Sequence, residues 1–388
     1  MAATELARRL ASALSRLAAR LPRALGGLLG GIVATQAASA ATLPEDRTEL
    51  MYHRYDGGGV KASGPALLVR KSLADRVSLA GSYYVDAVSN ASIDVVTTAS
   101  PFKETRRAYD ASVDWLTRDT LVSANLYASR EPDYDVDTVG TDVAHEVFGG
   151  MTTVSLGFSR SHDEVRKKNE PGWHDTAVHW QYRSGLTQVL SPRWLASINA
   201  EADADAGFLG SPYRVARVFG AAVPERLPRT RSSRAVKLRT VYDFGDGQTR
   251  TAVRVEYRRF WDNWAIKADT TEIGAAHYFG SDETTRGRIL FDASLRLYSQ
   301  TKALFYSDNA QGETLYVTRN RQLGSFTSTG LLAKATWTPS GVFARHHVEL
   351  SGSYERKQYR WRDFTDLRTG QPYAHGADVL QLLVSARF

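Results

Sequence analysis

The chain has 388 residues, no cysteine and a formal net charge of +7, with a mean hydropathy of −0.34. The lack of cysteine excludes disulfides, thiolate metal sites and covalent haem attachment. After the N-terminus no stretch approaches the ~20 consecutive apolar residues of a membrane helix, which excludes a bundle of such helices. A membrane barrel built from strands remains compatible with this composition, because its lipid-facing and lumen-facing residues alternate.

The first forty residues have the pattern of a secretory signal peptide. Five arginines precede an apolar run over residues 24–34, and Ala38, Ser39 and Ala40 form a small-residue cleavage motif. We predict cleavage after Ala40 and one mature domain over residues 41–388; the alternative is an amphipathic helix of the mature protein. Without the first forty residues the chain holds 44 basic and 41 acidic side chains, so its charge gives no reason to expect a nucleic-acid partner.

The mature chain alternates apolar and polar residues with period two. Val77, Leu79 and Tyr83, for example, share one face, and Ser78 and Ser82 share the other. Sixteen such segments are predicted, although fourteen or eighteen would fit the same pattern. They start near Arg47, Gly64, Val77, Arg107, Thr120, Tyr134, Thr152, His174, Arg193, Ser232, Thr249, Trp264, Arg286, Gly324, His346 and Asp378. Strands of a soluble sandwich also alternate but are usually about five or six residues long. The predicted fold class is an all-β, antiparallel, up-and-down transmembrane barrel.

The connections between these segments alternate in length. Short turns are typical of the periplasmic side of an outer-membrane barrel, and long loops are typical of the outer side. The predicted long loops are residues 89–106, 205–231, 302–323 and 361–377. The connections before Tyr134 and Trp264 break this rule, because they are short although they lie at the end where long loops are expected. The pair of strands that each of them joins is therefore open to a different assignment. Aromatic residues near the predicted strand ends suit the girdles at the membrane interfaces: Tyr109, Trp115, Trp180, Trp194, Tyr257, Tyr278, Trp337 and Tyr354.

The last predicted strand, residues 378–388, ends the chain with an apolar face. That face comprises Leu380, Leu382, Val384, Ala386 and Phe388. An apolar, alternating last strand with a terminal Phe resembles the signal that the barrel-assembly machinery reads in outer-membrane proteins. An unpaired strand edge with one apolar face suits capture by strand pairing. We therefore expect outer-membrane lipid and the assembly machinery as partners of this chain.

Four segments in the first part of the mature chain resemble one protein family. They are residues 49–60, 68–71, 82–89 and 92–101. These segments resemble the domain-of-unknown-function family 3570, a set of bacterial outer-membrane barrels of the Gram-negative envelope. The resemblance covers nearly the whole mature chain and implies a barrel located in the outer membrane. It implies no catalytic residue. It also implies a neighbourhood of small lipoproteins and envelope redox proteins, so a small lipoprotein is a further expected partner.

Charged residues on the presumed lumen faces fall into two groups of opposite sign. The basic group is Lys237, Arg239, Arg254 and Arg258, and the acidic group is Asp110, Asp114, Asp135, Asp137, Glu201 and Asp203. Opposed rows across a narrow lumen would set up a transverse field that favours small polar or dipolar solutes. The alternative is a hydrogen-bonded ladder of charges along the wall. The long loop 205–231 is either a constriction folded into the lumen or a floppy surface loop.

The chain shows no convincing metal site. Asp133, Asp135 and Asp137 share a strand face and could hold Ca²⁺ through oxygen ligands, but a polar lumen row or an outer-loop rim explains them better. His346 and His347 are adjacent, so they point to opposite faces of a strand. We predict no dedicated metal site and no cofactor.

Two classes of function follow from the sequence. A barrel of about sixteen strands can leave an aqueous channel, so the first hypothesis is a pore for small polar solutes, with a plugged barrel that scaffolds a partner lipoprotein or an envelope redox system as its alternative. The second is a membrane-embedded lipid hydrolase, for which His346 is the one candidate residue. No serine is placed beside His346 by a motif, so we expect no catalytic residues and no enzyme.

Overall fold

The computed structural model of the chain describes residues 42–90, 102–168, 170–245, 250–279, 287–340 and 347–388. The predicted signal peptide over residues 1–40 lies outside the described residues, as does His346. Within the described ranges, no helix has the length and apolar character needed to cross a membrane.

The described residues form eighteen strands and one 3-10 helix. The first nine strands are β1 (Arg47–Gly57), β2 (Val60–Ala74), β3 (Val77–Asn90), β4 (Phe102–Thr117), β5 (Thr120–Arg130), β6 (Tyr134–Val147), β7 (Thr152–Arg166), β8 (His174–Ser191) and β9 (Trp194–Gly207). The others are β10 (Val215–Val218), β11 (Ala221–Pro224), β12 (Thr230–Asp243), β13 (Thr251–Asp262), β14 (Lys267–Phe279), β15 (Arg288–Gln300), β16 (Phe326–Thr338), β17 (Val348–Asp366) and β18 (Gln371–Arg387). The 3-10 helix is Arg321–Leu323.

Sixteen of these strands form one closed antiparallel barrel, which confirms the predicted fold class and strand number. Closure occurs because β1 pairs with both β2 and β18. The small hairpin of β10 and β11 is a separate sheet and is not part of the barrel sheet. β9 therefore pairs directly with β12, although β10 and β11 lie between them in the sequence. Both pairs that the short connections left open are present, β5 with β6 and β13 with β14.

Many strands begin where the sequence predicts them. Six start at the predicted residue: Arg47, Val77, Thr120, Tyr134, Thr152 and His174. The long loop predicted over residues 361–377 is wrong, because β17 continues to Asp366 and β18 begins at Gln371. Pro372 and Gly376 both lie within β18. The register between the two strands shifts after Arg360, so a strand irregularity, and not a long loop, absorbs these residues.

The outward face of the barrel is apolar. Val139, Leu156 and Leu331 are 52%, 61% and 60% exposed on this face. A continuous exposed apolar belt of this kind requires lipid to cover it. The predicted girdle aromatics share this exposure: Tyr109, Trp115, Trp194, Tyr257, Trp337 and Tyr354. Tyr278 differs, since it lies on the same face as Glu272 and its ring is under the guanidinium of Arg288 inside the barrel.

The inward face of the barrel is polar along its length. Ser78 and Thr153 are buried there, and the hydroxyls of Thr138 and Ser161 lie 2.9 Å apart on neighbouring strands. Clusters of buried apolar side chains in the described residues occur instead at the end with the long loops, which we call the mouth end. The interior is therefore a polar lumen with apolar clusters at one end.

Candidate functional site

The four predicted basic residues of β12 and β13 point into the lumen. Leu238 lies between Lys237 and Arg239 and is 49% exposed on the outward face, so both bases point inward. The same alternation along β13 directs Arg254 and Arg258 inward. The structure thus places this whole predicted group on the lumen wall.

Two of these bases pair with acids on the wall beside them. Arg258 donates to the Glu201 carboxylate at 2.8 Å, and the two side chains are 33% and 31% exposed. Lys237 Nζ lies 3.9 Å from a carboxylate oxygen of Glu256. Because each partner lies on a nearby strand, these charges are compensated locally along the wall. The arrangement favours the ladder of charges over the rows opposed across the lumen.

Arg254 occupies the centre of a second wall network. Its guanidinium pairs with the Asp292 carboxylate and lies 3.7 Å from a Glu272 oxygen. The guanidinium lies flat over Gly274 on the next strand, since a Cβ built there would be 2.5 Å from its Cζ. A glycine at this position lets a long cationic side chain follow the wall.

The predicted acids of β4 and β9 are also inward and held by neighbouring donors. Asp114 is 5% exposed, pairs with Arg70 and accepts a hydrogen bond from Ser123. Asp203 accepts from Ser233 at 3.0 Å. Asp110 shares the inward face of β4 with Asp114. These carboxylates therefore belong to the wall network as well.

Asp135 and Asp137 lie on the outward face, in contrast to the predicted lumen position. They share that face with Val139, and β6 pairs with β7 without a bulge, so the alternation is unbroken between them. Asp135 forms an ion pair with Arg166 beside it on β7. Both carboxylates lie near the mouth end of β6, where the outer face meets water and tolerates charge.

Two histidine sites in the lumen were not expected from the sequence. His53 Nε2 lies 2.6 Å from Asp86 Oδ1, and both side chains are buried. His179 lies between two carboxylates, with Nδ1 2.6 Å from Asp205 and Nε2 3.1 Å from Asp163. The partners of each histidine are far apart in the chain and meet only through the strand register, so no local sequence motif marks them.

Neither histidine site has the arrangement of a hydrolase. Both ring nitrogens of His179 face carboxylates, so neither is available to accept a proton from a serine nucleophile. His53 Nε2 lies within 2.8 Å of the Tyr84 hydroxyl, and its ring stacks on that tyrosine. His346, the sequence candidate, lies outside the described residues. These sites are better explained as structural links between strands.

Two loops pack together at the mouth end, and we call residues 208–229 and 301–325 the cap. The β10–β11 hairpin lies in the first loop and the 3-10 helix in the second. Backbone bonds join them, with Phe219 N–H donating to Ala310 O at 2.9 Å and Val317 N–H donating to Arg226 O at 2.9 Å. Val317 is buried in an apolar cluster that both loops share. The long loop predicted over residues 205–231 is therefore an ordered, packed segment.

Aromatic side chains line the wall beneath the cap. Trp361 stacks on Phe326 with ring centroids 5.2 Å apart and on Tyr359 at 5.9 Å. His375 stacks on Tyr359 at 4.9 Å. All four residues are on the inward faces of β16, β17 and β18. Together they form an aromatic wall on one side of the mouth.

The cap is anchored to this aromatic wall by polar contacts. Trp361 Nε1 donates to Arg321 O at 2.7 Å, and the Arg321 guanidinium lies 5.7 Å from the Trp361 ring centroid. Tyr306 donates to Asp363 O at 2.9 Å. Arg319, 5% exposed, donates to Asp308 at 2.7 Å within the cap. The second cap loop thus lies against the inner side of the wall and narrows the mouth.

The predicted assembly signal lies on the strand that closes the barrel. Leu380, Leu382 and Val384 are exposed on the outward face of β18, and Ala386 continues that face. Phe388 follows the strand, 60% exposed, with the ammonium of Lys71 4.8 Å from its ring. This placement is compatible with recognition of the strand before closure, which stays a prediction.

Residues 166–332, from the end of β7 into β16, match the sequence profile of a family described as "Protein of unknown function (DUF3570)". This is the family that residues 49–101 resemble, and the match confirms the resemblance for residues 166–332. No curated protein matches the chain.

The chain is similar to several solved structures. A bacterial polysaccharide outer membrane secretin has a TM-score of 0.51 and 9% identity over 89% of this chain and 100% of its own. The siderophore receptor PirA from Pseudomonas aeruginosa has a TM-score of 0.44 and 12% identity over 83% of this chain; the chain spans 60% of that receptor. The CymD monoaromatic hydrocarbon channel has a TM-score of 0.42 and 11% identity, with 89% of each chain covered.

At these identities the secretin likeness shows the fold alone. The fold is the closed antiparallel barrel of outer-membrane proteins. Because the outward face is also an exposed apolar belt, the protein is a barrel of the outer membrane.

Proposed function

We propose that the protein is an outer-membrane channel for small polar solutes whose mouth is narrowed by the cap. One observation carries the proposal: long polar side chains of the lumen lie flat over glycines of the neighbouring strands. A Cβ built on Gly157 would be 2.1 Å from Asp142 Oδ1 and 2.9 Å from Arg183 Nε, and Arg254 covers Gly274 in the same way. Side chains that follow the wall leave the centre of the barrel for water and solutes.

The strand number supports the same interpretation. Eight strands enclose an interior that side chains fill, whereas about sixteen strands are enough for an aqueous channel. Asp142 and Arg183 pair with each other at 2.9 Å along the wall, so their charges are satisfied without crossing the lumen. A wide barrel with wall-bound polar groups is the structure that a diffusion channel needs.

The charge pairs indicate which solutes would pass. Acids and bases alternate around the wall, as in the Arg258–Glu201 and Arg254–Asp292 pairs, so no single sign of charge dominates the lumen. Partly exposed pairs offer hydrogen-bond donors and acceptors to a passing molecule. We therefore propose small neutral or dipolar solutes as the permeant class, in preference to ions of one sign.

Neutralising Arg254 tests the channel directly. The substitution Arg254→Ala leaves Asp292 and Glu272 without their cation, so the lumen gains net negative charge. An uncompensated charge about 8 Å from a monovalent ion contributes about 0.5 kcal/mol in water, or about a twofold change in permeability. We expect a shift of the reversal potential towards cation selectivity in planar-bilayer recordings of the refolded mature protein.

Arg356→Ala is the matched control, because Arg356 pairs with Asp378 on the outward face of the barrel. This variant should leave selectivity unchanged. If both substitutions shifted the reversal potential equally, ion selectivity would not depend on the Arg254 network in the lumen. A folded wild-type barrel without any conductance would contradict the open channel.

The structured cap favours a second candidate, a plugged barrel that scaffolds a partner lipoprotein. Trp264, Ile266 and Leu323 form a buried apolar cluster within the cap and the adjacent β13–β14 turn. A mouth closed by such a cluster would block diffusion and present a stable surface. The two candidates differ in one measurable property, since only the channel conducts while the cap is in place.

A further inference from the structure

Three carboxylates converge at the mouth end, away from the charge networks of the lumen. Glu104 lies near the start of β4, and Glu131 and Asp133 lie in the connection between β5 and β6. One carboxylate oxygen from each residue lies within 4.8 Å of the other two. Three negative groups at this separation repel one another unless a cation or a proton compensates them.

Glu131 is the buried member of this cluster. It is 9% exposed, and its Oε1 has no hydrogen-bond partner among the described residues. The Arg106 guanidinium interacts electrostatically with Glu131. Arg106 itself donates to the Tyr127 hydroxyl at 3.1 Å. A buried carboxylate with an oxygen that lacks a donor, in a cluster with two other carboxylates, is a position that a cation would satisfy.

We propose that Glu104, Glu131 and Asp133 bind a divalent cation, with Ca²⁺ as the preferred ion. Carboxylate oxygens are hard ligands that select Ca²⁺ or Mg²⁺ over softer metals. Oxygens on one Ca²⁺ ion lie at most about 5 Å apart, given bonds of about 2.3–2.6 Å, and those on Mg²⁺ at most about 4.2 Å. The oxygens of this cluster all lie within 4.8 Å of one another, which is inside the limit for Ca²⁺.

The site lies where the barrel wall meets the cap. Tyr213, in the first cap loop, accepts a hydrogen bond from the backbone N–H of Lys168 at 2.9 Å, and its hydroxyl lies near the Asp133 carboxylate. A cation on Asp133 would draw together β4, the β5–β6 connection and this loop. Binding would thus stabilise the docked cap, whether or not the barrel conducts.

Terbium luminescence tests the proposal on the refolded mature protein in detergent. Tb³⁺ alone should give saturable emission on tyrosine excitation, because Tyr213 adjoins the site, and Ca²⁺ should displace it. Only three protein ligands are present, so we expect affinity in the weak extracellular range of about 10⁻⁴–10⁻³ M. Glu131→Gln and Asp133→Asn should each weaken Tb³⁺ and Ca²⁺ binding at least about tenfold, since each removes one charged ligand.

Glu170→Gln provides the matched control, because Glu170 is an exposed acid at the same end that pairs with Lys167. It should bind Ca²⁺ like the wild type. Folding is checked independently by circular dichroism, and Ca²⁺ should raise the unfolding temperature of the wild type but not of Glu131→Gln. Wild-type affinity in the folded Glu131→Gln variant, or no saturable Tb³⁺ emission from the wild type, would overturn the proposal.

Discussion

Removing the second cap loop is expected to raise the single-channel conductance of the barrel severalfold. The variant replaces residues 302–324 with a short Gly–Ser turn. The strands on either side can accept such a turn, because Gln300 of β15 already pairs with Phe326 of β16. The deletion removes Arg321 and Tyr306 from the aromatic wall, so the mouth widens while the sixteen-strand sheet keeps its hydrogen bonds. The measurement is conductance of the refolded variant in a planar bilayer.

A control variant keeps the loop and changes only an exposed side chain of the cap. Phe219, 66% exposed at the tip of the β10–β11 hairpin, can be replaced by serine without disturbing the wall. Its conductance should equal that of the wild type. If the loop-deleted barrel folds, inserts and remains silent, the channel proposal fails and the scaffold candidate is favoured. A silent wild type with a conducting deletion variant would show that the cap closes the mouth, as the plugged-barrel candidate requires.

Weakening one anchor should give a graded version of the same effect. Arg319 holds the second cap loop to β17, because its guanidinium donates to Thr365 O at 2.5 Å and stacks on Phe364. In Arg319→Ala the loop keeps its other contacts, so we expect more frequent fluctuations between conductance levels without a full increase. Steady single-level current identical to that of the wild type would mean that this anchor does not restrain the mouth.

The barrel could be predicted from the sequence because the bilayer imposes a simple rule on each strand. Within the apolar belt, every second residue faces lipid, and turn residues interrupt the alternation at the short-turn end. Val77, Thr120 and Thr152 follow such turns and begin strands as predicted. The terminal apolar strand and the strand count follow from the same alternation.

At the mouth end the alternation no longer follows this rule, so it does not predict there which residues face the lumen. Beyond the belt both faces of a strand meet water, and a charge no longer marks the lumen. Asp135 and Asp137 were assigned inward for their charge, yet they continue the outward face of Val139. Residues 361–377 contain polar and turn-forming residues, yet much of this stretch belongs to strands that extend past the membrane.

Contacts between distant strands are also beyond the reach of a single sequence. Glu104 and Glu131 converge because β4 pairs with β5 in one register, in which Arg107 faces Arg130. A shift of that register by one residue would turn one strand's side chains to the other face. The charge networks and the carboxylate cluster therefore required the structure, although every residue in them is visible in the sequence.

The buried ion pair of Arg70 and Asp114 should be the most sensitive point of the lumen network. Arg70 is 7% exposed and Asp114 is 5% exposed, and Ser123 also donates to Asp114. Asp114→Ala leaves the Arg70 guanidinium buried without its counter-ion, which typically costs about 3–5 kcal/mol of unfolding free energy. We expect a loss of this size in urea unfolding of the barrel in lipid vesicles, followed by tryptophan fluorescence.

Two further variants separate the buried charge from other causes. Arg70→Met combined with Asp114→Leu removes both charges and fills a similar volume, so it should recover most of the stability. Asp378→Ala breaks the exposed outward pair with Arg356 and should cost at most about 1 kcal/mol. Asp114→Ala could instead lower the unfolding free energy by no more than Asp378→Ala does. That result would mean that water from the lumen reaches the Arg70 guanidinium and solvates its charge, so the ion pair with Asp114 contributes little.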